Sequence, residues 1–519
     1  MRKYGILALI VLAAAAIRIY KLDVRPAGFT WDEAALGYNA YSLLKTGRDE
    51  YGTILPIVLK SFGDFKPGLY TYFAVPPTAI GGLNKFTTRL PAAVFGVITI
   101  VLIFVLTKNL WAGLILAINP WALQFSRGAW EANVSLTLTL LGSILFVRKK
   151  YFWAALFLGL TLWTYQGAKL FTPLIIVSLL VIYRTELTKL VKPLLLLLLL
   201  LLPIIWGFGT QSGRLKVFSV FSYTRSKIDV TEILRQDGSS KPNLIYYLYH
   251  SELLDQSRGI MGRYLNHFSP YYLFFAGDWT NLRQTIPYYG YFHAIEMLTL
   301  ALGLIWIIKN SSPLTKLLVA WMFLAPVPAA LSRDLVSGVR SLPLIVPLVI
   351  FSGIGMEKLF KKKIINGVLL MLLVFLEIYF LDLYFIHAPK FTAADWLYPY
   401  QPAMKEVAEN YNQYQKIIFS PKLGQPYIFA LYFLKVDPRE YQAQATLTAN
   451  SQGDVGRVEK FGKFEFRNIY WPEDRKLTNT LFVGDQYELP EQDLDATVIK
   501  LSEIVYPNGA PALKVVGTL

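Results

Sequence analysis

The 519-residue chain contains no cysteine, which excludes disulfides, thiolate metal sites and cysteine nucleophiles and leaves the redox compartment open. Histidine is nearly as scarce. Its four positions, His250, His267, His293 and His387, fall at no metal-ligand spacing and are read as structural. Residues 387–519 carry no glycine-rich nucleotide-binding motif and no internal repeat. Apolar and polar residues do not alternate with period two, so a transmembrane β-barrel is not expected. Charge is almost absent from the long apolar runs, with Glu296 and Glu377 the main exceptions.

What is abundant is apolar sequence, at 54% hydrophobic residues and a mean hydropathy of +0.40. Runs of roughly 17–25 residues suffice to cross a ~30 Å hydrocarbon core as helices. Examples are 98–106 with its flanks, 193–208, 295–308 and 364–385. Nine consecutive leucines at 194–202 are lipid-facing material without chemistry. The net charge of +16 invites a nucleic-acid reading, but its placement argues otherwise. From residue 387 onward there are 14 Lys+Arg against 16 Asp+Glu, so the first 386 residues carry +18. Much of that excess sits in short loops between apolar runs, the positive-inside pattern, and no nucleic-acid partner is expected.

Read in order, the pattern predicts a polytopic α-helical membrane protein with about eleven spans. They cover 4–20, 89–107, 110–125 (interrupted at Asn119-Pro120), 130–147, 152–165, 170–183, 193–208, 291–308, 317–331, 341–356 and 364–385. Arg2-Lys3 puts the N-terminus in the cytoplasm. The small residues at 13–16 also resemble a signal-peptide cleavage site; cleavage would leave the downstream orientation unchanged, and an uncleaved helix is favoured. Each inner turn is basic, at Lys108, 148–150, Arg184 to Lys192, Lys309 to Lys316 and 358–363. Two long outer loops result, 23–88 and 210–289. The first is rich in aromatics and prolines and is expected to lay one or two short helices along the interface. Residues 387–519 are polar and turn-rich, and form a second domain after the membrane domain 1–386. A helix at 402–414 and strands at 416–420, 461–467, 480–483, 497–501 and 512–516 predict a small extracytoplasmic α/β or α+β domain.

With this topology, acids and bases collect on the outer face. Asp32 and Glu33 lie at the membrane lip in Phe29-Thr-Trp-Asp-Glu-Ala-Ala-Leu-Gly-Tyr38, where charge needs water or a function. Lys66 follows in Phe62-Gly-Asp-Phe-Lys-Pro-Gly-Leu-Tyr70, and Arg89 opens a span in Arg-Leu-Pro-Ala-Ala. Arg127 and Glu131 are four apart, on one face if that turn is helical. Lys169, Asp278, Arg283, Arg333, Asp334 and Arg340 complete the set. Cations of this kind hold a phosphate and stabilise charge as it leaves, and a carboxylate can take a proton from an incoming hydroxyl. Each residue also has a plainer reading. The acid pair suits a helix N-terminus, Arg89, Arg127 and Arg283 suit headgroup anchors, Lys66 suits interfacial charge, Arg127 and Glu131 suit a structural ion pair, and Asp278 in Gly-Asp-Trp suits a turn.

Taken together, the motifs resemble the GT-C superfamily of membrane glycosyltransferases, in the branch of the protein mannosyltransferases and the aminoarabinose transferases that modify lipid A. The acid pair is similar to that family's Asp-Glu motif, and Lys66-Pro67-Gly68-Leu69-Tyr70 to its Lys-Pro-Pro-Leu-Tyr, with glycine for the second proline. Arg89-Leu-Pro-Ala-Ala93 resembles the start of its second span. Arg340-Ser-Leu-Pro-Leu-Ile-Val-Pro347 resembles its Arg-Tyr-Leu-Leu-Pro segment, with serine for tyrosine. The resemblance covers roughly residues 5–360 and rests on the order and sidedness of motifs that are individually weak. The Trp-Trp-Asp motif of oligosaccharyltransferases is missing, which argues against en bloc glycan transfer.

The resemblance implies a polyprenyl-phosphate-linked sugar donor. It implies Asp32 as catalytic base with Glu33 beside it, and Lys66 on the donor phosphate with Arg340 assisting. Arg89, Arg127, Glu131, Asp278 and Arg283 are further candidates for substrate binding. Some members need a divalent metal and others do not; Asp32 and Glu33 would be the ligands here. The expected activity is transfer of one sugar to an unidentified protein, lipid or glycan acceptor at the extracytoplasmic face of the cell membrane. A transporter or flippase of lipid-linked glycans is the alternative and would place charges along a mid-span path. A non-catalytic assembly factor is a third reading.

Overall fold

Hydrocarbon offers no partner for backbone N–H and C=O groups, so apolar runs close their hydrogen bonds within themselves as helices. The computed structural model describes residues 2–62, 64–207, 219–222, 225–360, 363–444, 447–448, 456–494 and 498–519. The first helices are α1 (Arg2–Ile19), α2 (Trp31–Thr46), α3 (Leu69–Gly81), α4 (Lys85–Thr107), α5 (Leu110–Ile118), α6 (Pro120–Ser126), α7 (Glu131–Val147), α8 (Tyr151–Thr161), α9 (Ala168–Tyr183) and α10 (Val191–Trp206). Later apolar helices are Glu296–Lys309, Pro313–Leu324, Ile345–Leu359 and Lys363–Asp382. The end of the span expected at 193–208, the start of the second long loop, residues 361–362 and the first residue of the strand expected at 497–501 lie outside the described residues.

Helices thus form in every expected span, but length divides them. Among the described residues, five helices are long and apolar enough to cross a membrane alone, or six if α6 and α7, bent by 114°, count as one broken span. The expected figure of eleven is not met by length. Asn119 breaks the run at 110–125, leaving its helical path to accept the Ala122 N–H and start α6. α8 has 11 residues and α9 has 16, so either would need tilt or company to span.

The expected interfacial helices in loop 23–88 are α2 and α3, but α2 is not laid open along a lipid surface. Most of its residues are buried, with Phe29, Ala34, Ala35 and Tyr38 in one apolar cluster with Tyr400, Phe429 and Tyr432 from the C-terminal region. Between α2 and α3 the chain makes an unexpected two-stranded hairpin, β1 (Val58–Ser61) and β2 (Asp64–Pro67), with Leu59 opposite Lys66. In the second long loop, helix Glu252–Asn266 buries no residue; Tyr264 and Arg263 tether it by donating to the carbonyls of Phe323 (2.8 Å) and Ala330 (3.0 Å).

The C-terminal region builds a six-stranded mixed sheet in the order Lys460–Phe461, Phe464–Phe466, Lys416–Phe419, Thr480–Gly484, Pro511–Thr518, Val498–Val505. Lys416–Phe419 runs parallel to both neighbours and the other pairings are antiparallel. All five expected strand regions are present, with 461–467 split into a tight hairpin. Helix Pro426–Phe433 was not foreseen. An apolar run of eight residues suits a buried strand as well as a buried helix, and here Pro426 starts a helix in which seven residues are buried.

Helices Glu296–Lys309 and Ile345–Leu359 approach so closely that a Cβ on Gly303 would collide with the Phe351 carbonyl, and one on Gly355 with the Thr299 carbonyl. Close backbone approach through small residues is how helices pack where lipid gives no hydrophobic drive between them. Gly303→Val is therefore expected to cost about 1–3 kcal/mol, because backbone cannot yield as a side chain can. A detergent-solubilised variant melting at the wild-type temperature would contradict this.

Candidate active site

The site begins with a turn held by two arginines. After α1 the chain leaves helical geometry over residues 20–30. Arg127, fully buried just after α6, donates to the carbonyls of Ile17, Arg18 (3.0 Å) and Tyr20 (2.7 Å). Arg89, fully buried on α4, donates to the carbonyls of Leu22 (3.1 Å), Pro26 (3.3 Å) and Gly28 (2.7 Å). These groups are carbonyl ligands rather than headgroup anchors.

Arg89 also makes a two-point ion pair with Glu33, at 2.8 Å to Oε1 and 3.0 Å to Oε2. The Glu33 carboxylate additionally accepts the N–H groups of Thr30 (3.1 Å) and Ala129 (3.0 Å), while Thr30 Oγ1 accepts the Glu33 N–H to complete a capping box. A buried carboxylate with four donors is satisfied. Glu33 thus joins α2, α4 and the start of α7, and its oxygens do not turn toward its neighbour Asp32. No group of three or more His, Asp or Glu side chains gathers to hold a metal ion among the described residues.

Asp32 points the other way. Its side chain is 40% exposed and contacts the ammonium of Lys66, itself 6% exposed and 4.7 Å above the Phe62 ring. Lys66 is delivered by the hairpin, which Gly68 pins by donating its N–H to the Ile57 carbonyl at 2.9 Å. A proline at 68 would lack that donor, and a Cβ there would come within 2.9 Å of the Ile57 carbonyl oxygen, which together favour glycine. The hairpin is tied to the turn after α8 through Leu69 N–H to the Trp163 carbonyl (2.9 Å) and Gln166 Nε2 to the Phe65 carbonyl (2.8 Å). The same turn, through Tyr165 and Gly167, lines a small hollow whose other walls include Ala132, Leu136, Phe171, Arg340 and Pro343. Arg340 contacts Asp334, which is 43% exposed.

The other expected residues separate by role. Arg283 sits with its guanidinium 5.9 Å from the Trp31 ring, next to Asp32 in sequence. Asp278 accepts the N–H groups of Thr280, Asn281 and Gly338, each at 3.0 Å, and so forms the turn that joins 278–285 to the segment leading to Arg340. Burial pushes its carboxyl up, against those hydrogen bonds. Arg127 and Glu131 lie on either side of the 114° bend, Glu131 in the first turn of α7, so they do not share a helical face.

Two contributors were not foreseen. Trp396 covers the Arg89 guanidinium at 5.7 Å, its carbonyl accepts the Phe29 N–H (2.7 Å), and it leaves no room for a Cβ on Gly28. Glu50 is fully buried behind the hairpin and accepts from Tyr427 (3.2 Å) and Asn39 (3.3 Å). Burial and neighbouring Asp49 push it up to about 8. The available signal was Asp49-Glu50 itself, a second adjacent acid pair in the same loop.

No protein-family model and no curated protein matches the chain. Solved structures do. The crystal structures of ArnT from Cupriavidus metallidurans in the apo state and bound to undecaprenyl phosphate superpose with TM-scores of 0.55 and 0.54. Each is 12% identical, over 99% of this chain and 98% of that one. The chain therefore has the ArnT-like fold, helical with a C-terminal sheet, and among the described residues five helices are long and apolar enough to cross a membrane.

Glu33→Ala leaves Arg89 buried without its counter-charge, and breaking such a pair costs about 3–5 kcal/mol. Thermal unfolding should show that loss, and an unchanged midpoint would contradict the clamp. Glu50 gives a pH test. Its folded value lies above the ordinary 4.5, so it contributes stability below pH 4.5 that is lost as pH rises through about 8. Glu50→Gln should flatten that slope in unfolding midpoints measured from pH 5 to 9.

Proposed function

We propose that the chain is a membrane glycosyltransferase that moves one sugar from a polyprenyl-phosphate donor to an acceptor hydroxyl at the extracytoplasmic face. The observation that carries this reading is the contact between a half-open carboxylate, Asp32, and a nearly buried ammonium, Lys66. Asp32 takes the proton of the acceptor hydroxyl as its oxygen bonds to the anomeric carbon. The bond from that carbon to the phosphate oxygen breaks, and the phosphate leaves with the electron pair. Lys66 and Arg340 hold its charge, and Arg283 on Trp31 borders the acceptor side. Inversion places the base and the leaving phosphate on opposite faces of the sugar, so the Asp32–Lys66 contact opens as the sugar enters between them.

The ArnT neighbour bound to undecaprenyl phosphate supports a lipid-phosphate donor. Sidedness is supported by charge. Lys108, 148–150 and Arg184 lie at the helix ends opposite the site, where Trp111 packs on Phe360 (4.3 Å) and Phe146 on Tyr183 (6.3 Å). That end would be cytoplasmic. Residues 1–386 then carry the chemistry, and 387–519 form an extracytoplasmic cover that reaches the clamp through Trp396.

For the flippase alternative, the acids within the spans matter. Glu296 and Glu377 meet at His293, through its N–H (2.9 Å) and its Nε2 (3.3 Å). This favours a structural knot between helices.

Asp32→Asn should lower lipid-linked sugar transfer by about 10²–10⁴-fold, the usual contribution of a general base. Lys66→Met should lower it through loss of phosphate stabilisation while the protein stays folded. Undiminished transfer by a folded Asp32→Asn protein would remove the base.

A further inference from the structure

Behind the Asp32–Lys66 pair lies an acid that the chemistry above leaves unused. Glu50 is fully buried, yet its carboxyl is not loose. Oε1 accepts from the Tyr427 hydroxyl at 3.2 Å and Oε2 from the Asn39 amide at 3.3 Å, and the Ser61 hydroxyl also bonds it. Its backbone N–H donates to Asn39 Oδ1 at 2.9 Å, which fixes which end of the Asn39 amide faces the carboxyl.

The hairpin register places Lys66 beside this group. Lys66 pairs with Leu59, so Ser61, two residues on, shares its face of the hairpin. Lys66 is the cation whose charge acts on Glu50. Its ammonium contacts Asp32 and lies over the Phe62 ring, which meets at 5.9 Å the Tyr427 ring whose hydroxyl donates to Glu50, so Lys66 borders the Glu50 network. The other titratable groups facing Glu50 are Asp49 and Tyr51 in its own loop, Tyr38 on α2, and Tyr427 and Tyr441 from the C-terminal region. The four tyrosines are raised by burial and stay neutral through the physiological range, and Asp49 is held by the N–H groups of Tyr51 (3.0 Å) and Thr53 (2.8 Å).

We propose that Glu50 is a positioning residue for Lys66, leaving the ammonium to a substrate phosphate when protonated and drawing it inward when ionised. Tyr427, on helix Pro426–Phe433, brings the C-terminal region into that control. The consequence is a site that holds phosphate best at neutral or mildly acidic pH and loosens its hold as Glu50 ionises. This inference rests on the reading of Lys66 as the phosphate ligand, so the experiment separates the two.

The probe is undecaprenyl phosphate, titrated into the purified full chain in detergent from pH 7 to pH 9.5. Its phosphate is already dianionic there, with a second pKa of about 6. The wild type should lose affinity on the order of tenfold across a midpoint near pH 8, as a nearby charge in a poorly hydrated site would cause. Glu50→Gln, which preserves shape and can still accept from Tyr427, should keep the pH 7 affinity and show no such loss. Tyr427→Phe removes a donor that favours the carboxylate, so its loss should move to higher pH. Lys66→Met should bind weakly at every pH. If Lys66→Met binds like the wild type, the phosphate reading fails. If it binds weakly while the Glu50→Gln and Tyr427→Phe curves overlay the wild type, only the role of Glu50 fails.

Discussion

The ion pair between Glu33 and Arg89 is the constraint on which the site depends. Two charges taken out of water at the end of a helical bundle are costly unless every lone pair and proton finds a partner. Here both are satisfied, Glu33 by the arginine and two backbone N–H groups, and Arg89 by three carbonyls of the turn after α1. The pair fixes where α2 starts and how it is rotated. Consecutive residues on a helix point about 100° apart, so a buried Glu33 turns Asp32 outward. One acid holds the frame, and its neighbour is presented by it.

The C-terminal region is part of that frame rather than an appendage. Trp396 covers the arginine, the Tyr432 hydroxyl meets Thr88 at 2.8 Å one residue before Arg89, and Tyr427 reaches Glu50 behind Lys66. Each contact lands on the first loop or the start of α4, the segments that place Asp32 and Lys66. Packing of this kind couples the sheet's stability to the geometry of the hollow, although no residue of the sheet itself enters it.

Much of this was legible in the sequence where a residue's role follows from its own chemistry. Apolar runs gave the helices, and the polar, turn-rich stretch after residue 386 gave the strands of the C-terminal sheet. What was not legible depended on distant partners. Nothing local distinguishes Arg89 and Arg127, which bind carbonyls 60–110 residues away, from arginines that anchor headgroups. Glu33 looked like half of a catalytic pair because adjacency in sequence hides the rotation between them. The hairpin at 58–67 was missed because its strands are four residues each. Span number is not settled by length alone, because the interruption at Asn119-Pro120 leads into a 114° bend whose angle no local sequence signal shows.

Because the chain has no cysteine, the arrangement can be probed with introduced thiols alone. The most direct measurement is cross-linking of an Asp32→Cys, Lys66→Cys double variant in intact cells by a short, membrane-impermeant bifunctional thiol reagent. If the clamp holds position 32 against the hairpin at the extracytoplasmic side, the two cysteines should join within one chain without permeabilisation. Failure to cross-link, with both thiols modified only after the membrane is opened, would contradict both the convergence and the sidedness.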